Sequence, residues 1–90
     1  MSMDMFDTSD GHTLSVRVLD GTKIELRKFN PNGEPVVTPV ELSTADAKRI
    51  LKAKPTEPGT AWHIGKGLTM APPDVDRTAE ALNSALANLS

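Results

Sequence analysis

The sequence predicts an α+β domain, an antiparallel sheet of about four strands in the element order ββ-β-α-β-α with two helices packed on one face. Three observations carry this reading. Leu14, Val16 and Val18 alternate with polar residues, as do Ile24 and Leu26 across Asp20-Gly21, which is the period of strands with one buried face. Ser43-Thr44-Ala45-Asp46 is a helix start, followed by basic residues and then Pro55. Val75, Ala79, Leu82, Leu86 and Leu89 recur at spacings of four, three, four and three, a single helical stripe.

The hairpin Thr13 to Phe29 organises the rest. A two-residue turn on Asp20-Gly21 pairs Val18 with Lys23 and Val16 with Glu25, setting apolar side chains against charges on one face. The loop is therefore expected to be odd in length. Centred on Gly21, it pairs Val18 with Ile24, Val16 with Leu26 and Arg17 with Glu25; centred on Asp20, it sets Arg17 against Lys23. The Gly21-centred register is preferred on charge.

Before the hairpin, residues 1–12 show no stable period and read as a flexible acidic tail, leaving 13–90 as one α+β domain. After it, Asn30 to Pro35 (N-P-N-G-E-P) reads as a reversing loop. Val36, Thr38, Val40 and Leu42 then alternate as a third strand, in which Pro39 demands an edge position or a bulge. Ser43 caps the first helix, Ala47, Ile50 and Leu51 form its buried stripe, and Pro55 stops it. Trp62, Ile64, Leu68 and Met70 share one face of a predicted fourth strand, with Gly65-Lys66-Gly67 inside it. Ala71-Pro72-Pro73-Asp74 opens the last helix, where proline is tolerated and acid is favourable.

Ninety residues allow one modest core, burying roughly 60 to 65% of the unfolded chain's surface. The chain has no cysteine, which excludes disulfides and thiolate metal sites. No stretch is long and apolar enough to span a bilayer and the N-terminal residues lack a signal-peptide pattern, so a cytoplasmic protein is expected. Neither a catalytic residue nor a cofactor is assigned. His63 lies beside Trp62 with no serine-histidine-aspartate partner set. His12 follows Asp4, Asp7 and Asp10 at spacings that miss the calcium-loop pattern, so no metal site is assigned. Gly65-Lys66-Gly67 has neither the spacing nor the hydroxyl of a phosphate-binding loop.

The stretch V-R-V-L-D-G-T-K-I-E-L-R-K-F-N-P-N-G-E-P, continuing to V-E-L-S-T-A-D-A, resembles the transcriptional positive coactivator family of single-stranded-DNA binders over Val16 to about Leu51. The resemblance implies a curved antiparallel sheet before a helix, a homodimer, and unpaired DNA held by Arg17, Lys23, Arg27 and Phe29. Composition pulls the other way. A single-strand binder needs a positive groove and stacking aromatics, whereas this chain has a formal charge of -2 and carries Phe6, Phe29 and Trp62 as its aromatics. The first expectation is therefore a small non-enzymatic interaction module, an accessory or regulatory protein that binds another protein. Single-stranded nucleic-acid binding on the basic hairpin face is the alternative. A homodimer is expected through Val75, Ala79, Leu82, Leu86 and Leu89, a stripe longer than so small a sheet needs.

Overall fold

The computed structural model describes residues 3–89. Its strands are β1 (Met3–Asp7), β2 (Thr13–Leu19), β3 (Lys23–Phe29), β4 (Val40–Ser43), β5 (Trp62–Gly65) and β6 (Leu68–Met70). Its α-helices are α1 (Thr44–Lys52) and α2 (Val75–Ala87), the latter entered through a 3₁₀ turn at Pro72–Asp74. Strands β1 to β4 form an antiparallel sheet in chain order, and β5 and β6 form a separate hairpin. The α+β class holds, with six strands in two sheets among the described residues where about four in one were expected.

The central hairpin has the Gly21-centred register: Val18 faces Ile24, Arg17 faces Glu25 and Val16 faces Leu26. Asp20 and Gly21 both take positive φ, 52° and 69°, and the Thr22 N–H donates to the Leu19 carbonyl. The odd loop keeps Leu14, Val16, Ile24 and Leu26 together, all essentially removed from water. At β5 and β6 the same demand is met differently. Lys66 and Gly67, at φ 49° and 82°, make a two-residue turn of the kind that suits hairpins, so Gly65-Lys66-Gly67 reverses the predicted single strand. An even loop alone would set His63 opposite Met70. Instead the register shifts between His63 and Gly65, so that Trp62 faces Met70 and His63 faces Thr69. Ile64 is the extra residue, and Trp62, Ile64, Leu68 and Met70 all stay buried.

The third strand is shorter than the alternation predicted. Pro35 bridges to Phe29 and the Val36 N–H reaches the Lys28 carbonyl, but regular pairing resumes at Val40. Pro39 sits in the interruption, where its missing donor costs nothing. Ser43 caps α1 as expected, its hydroxyl accepting from the Asp46 N–H at 3.1 Å. The Asp46 carboxylate turns outward to Arg49 instead of reaching back to close a capping box. Helix α1 packs against β3, β4 and α2, and α2 crosses β2.

Two further expectations are corrected. The first concerns the tail: of residues 1–12, residues 1 and 2 lie outside the described ones, and Met3–Asp7 form edge strand β1, paired along its whole length with β2. Its polar residues have long-range uses. Asp4 accepts from Arg77 of α2 at 2.7 and 3.0 Å, and the Arg77 guanidinium lies 4.4 Å from the centre of the Phe6 ring. The Asp74 carboxylate, free of any capping duty, accepts from the Ser9 N–H and hydroxyl at 2.9 to 3.1 Å. The second concerns the stripe on α2. Val75, Ala79 and Leu82 are buried in the chain's own core, joined by Ala81 and Ala85, and Leu86 and Leu89 pack half-buried against it. Covering the sheet's apolar face consumes this surface, so it is no longer an argument for an interface.

Gly21→Val places a β-branched side chain at φ 69°. The expected cost is about 1 to 2 kcal/mol, read as a lowered urea midpoint. An unchanged midpoint would contradict the turn.

Candidate functional site

With one sheet face spent on the core, register places the alternate residues on the other. Met3 faces Arg17, which faces Glu25, which faces Glu41; Met5 faces Ser15, which faces Arg27; Asp7 faces Thr13, which faces Phe29. Lys23, opposite Leu19, has the same parity. The four residues singled out from the sequence, Arg17, Lys23, Arg27 and Phe29, therefore share one open face. Lys28 does not. It points to the other side, beside Leu14, and its Nζ lies 3.0 Å from Asp10.

At the centre of the face is Glu25. Its Oε1 accepts from Arg17 Nε at 2.7 Å and from Arg27 Nε at 2.8 Å, with Arg27 Nη2 3.4 Å from Oε2. The two guanidiniums cover the carboxylate so that Glu25 is only 5% exposed. Burial, the largest single influence, works to raise its pKa; the hydrogen bonds and charges of Arg27 and Arg17 together outweigh burial and hold it below the usual range. Lys23 is answered by Glu41 at 3.6 Å, both side chains more than half exposed. The open face thus carries Arg17, Lys23 and Arg27, which pair with Glu25 and Glu41, together with Asp7 beside Thr13, so the hairpin that looks basic along the chain lies on a face balanced in formal charge.

The apolar part of the face was not found from the sequence. Met3 and Met5, 57% and 54% exposed, are the most exposed large hydrophobic side chains among the described residues. They flank the arginine pair, and Met5 lines a shallow recess with Thr13, Phe29 and Pro31. Met3-Asp4-Met5-Phe6-Asp7 does alternate, and that period was the available signal. On the neighbouring side Arg27, Pro35, Val36 and Val37 line a second groove, where Val36 is 43% exposed.

The remaining candidates are held by local structure. Thr8, Asp10 and Lys28 form a hydrogen-bonded group that closes the β1–β2 loop: the Thr8 hydroxyl donates to the Asp10 carboxylate and to the His12 carbonyl. The Thr8 bond, with help from Lys28 and against burial, depresses the Asp10 pKa strongly. His12 Nδ1 lies 3.2 Å from Asp10. Asp4 is bound to Arg77 and Asp7 accepts from Thr13, so the acidic string is divided among different partners. Among the described residues no group of three or more potential ligands could hold a metal ion. His63 is exposed, its Nδ1 3.0 Å from the Thr69 hydroxyl on the neighbouring strand. No described helix is long and apolar enough to cross a membrane.

Comparison with protein-family models, with curated proteins and with solved structures finds no match for this chain.

Asp4, Asp10 and Glu25 are all depressed in the folded state, Asp4 chiefly by the Arg77 hydrogen bonds. A depressed carboxylate contributes stability that is complete above its unfolded pKa and is lost as pH falls through the folded one. Wild-type stability should decline from about pH 5 downward, and Glu25→Gln should flatten that decline while costing about 1 kcal/mol at pH 7. Chemical denaturation at a series of pH values checks both, and parallel curves for the two proteins would remove Glu25 from the account.

Proposed function

We propose that this chain is a non-enzymatic interaction module, accessory or regulatory in role, which binds another protein on the open face of its four-stranded sheet. The single observation that carries this reading is the composition of the face: exposed Met3 and Met5 and half-buried Phe29 stand around an arginine pair bridged by the one buried carboxylate of Glu25. Methionine, aromatic residues and arginine are the side chains enriched at protein interfaces. Methionine also adapts its shape to the partner. Matched charges favour orientation and specificity over long-range attraction of a polyanion.

A second reading, single-stranded nucleic-acid binding, is favoured by the convergence of Arg17, Lys23, Arg27 and Phe29 on that face. It differs from the first in what it asks of electrostatics. A polyanion must displace Glu25 and Glu41 from their cations, so affinity should be low and should rise when a carboxylate is removed.

Quantitative capture from the native host's lysate, with and without nuclease, separates the two. A specific protein should be retained by the wild type regardless of nuclease and depleted about tenfold on a Met3→Gln/Met5→Gln bait, whose changes touch solvent-exposed side chains. Equal capture by both baits would overturn the face assignment. On a single-stranded DNA column, retention that rises with Glu25→Gln, falls when Arg17 and Arg27 are both neutralised, and drops steeply with salt would instead establish the nucleic-acid reading.

A further inference from the structure

The sheet has two edges, and they are built differently. Beyond β3, the edge is short and broken: β4 has four residues, Pro39 precedes it, and the pairing from Pro35 to Val40 is interrupted. These are the usual devices against edge-to-edge association. At the other edge, β1 runs five residues without proline, lysine or a bulge and exposes Met3 and Met5. We infer that the free edge of β1 pairs antiparallel with β1 of a second copy of this chain, joining two four-stranded sheets into one.

The backbone phase supports a single register. The Thr8 N–H donates to the His12 carbonyl, so by the alternation of an antiparallel ladder Phe6 and Asp4 also exchange bonds with β2. Met3, Met5 and Asp7 therefore direct their N–H and C=O groups outward. A two-fold axis at Met5 pairs Met5 with Met5 of the second copy and Met3 with its Asp7, every such pair being of the hydrogen-bonded type. On the core side the same register sets Asp4 beside Phe6 of the second copy, over which that copy's Arg77 is stacked, so each Asp4 acquires a second cation nearby. Shifting the axis to Asp4 would bring the two Asp4 carboxylates together. Shifting it to Phe6 would leave Met3 and Asp4 outside the β1 pairing and bring the two Arg77 guanidiniums together. Charge complementarity thus selects the Met5-centred arrangement and identifies the occupant as the chain itself. This inference stands on the edge of β1 and is independent of what binds the open face.

Sedimentation equilibrium over a wide concentration range should give twice the chain mass at high micromolar concentration. Amide exchange at Met3, Met5 and Asp7 should slow as concentration rises, while Asp4 and Phe6, already bonded within the chain, should not change. Met5→Pro deletes an outward donor and spares the ladder to β2, so it should yield a folded monomer. Met5→Lys, which opposes two ammonium groups across the axis, should do the same and decides the matter if the proline variant is misfolded. A wild type that stays monomeric, or a dimer that survives in folded Met5→Lys with unchanged exchange at Met3, Met5 and Asp7, would overturn the inference.

Discussion

The constraint on which the structure depends is parity. Leu14, Val16, Ile24 and Leu26 must lie on one side of a two-residue repeat, because a slip of one position would move them all from the core to water. The odd loop at Asp20-Gly21-Thr22 satisfies this directly. The even turn at Lys66-Gly67 satisfies it with a bulge at Ile64, so the two hairpins reach one outcome by different local chemistry. Everything else follows from having a single apolar face to cover. That face takes Val75, Ala79 and Leu82 from α2 and Ala47 from α1, and it leaves the opposite face free for charge and for Met3 and Met5.

Parity is also what could be read from the chain. The β2–β3 register, Ser43 as a cap, the extent of the last helical stripe and the shared face of Arg17, Lys23, Arg27 and Phe29 all follow from spacing between residues close in sequence. What could not be read depends on partners far away. Asp4 in an edge strand looks like a solvated tail residue until Arg77, seventy-three positions later, supplies two hydrogen bonds. Asp74 looks like a helix cap, but its carboxylate serves Ser9 in the β1–β2 loop. The β5–β6 reversal was hidden for another reason: the bulge restores the alternation that a turn should have broken, so the pattern Trp62, Ile64, Leu68, Met70 reads as one uninterrupted strand.

The electrostatic character of the open face shows why charge counted along a chain is a weak guide to a surface. Arg17, Lys23, Arg27 and Lys28 crowd the hairpin sequence, yet Lys28 faces the other side, Arg17 and Lys23 meet carboxylates on neighbouring strands, and Arg27 meets Glu25 two residues away on its own strand. Glu25 matters most because it is buried under both arginines. Its removal would release two guanidiniums, converting a neutral platform into a cationic one without moving the backbone.

The attachment of β1 connects fold to function. An unanchored N-terminal segment would lose conformational freedom on binding, at roughly 1 to 2 kcal/mol for each backbone residue ordered. Here the Asp4–Arg77 pair, the Phe6–Arg77 stack and the Ser9–Asp74 bonds hold β1 and the loop after it to the start of α2 before any partner arrives. The ordering cost is then borne by folding and not by association, so even a short edge and two methionines can contribute to binding. The same ties make the edge sensitive to acid. Protonating Asp4 removes the charge that pairs with Arg77, and with it one of the contacts that reinforce the β1–β2 ladder and the placement of the two exposed methionines.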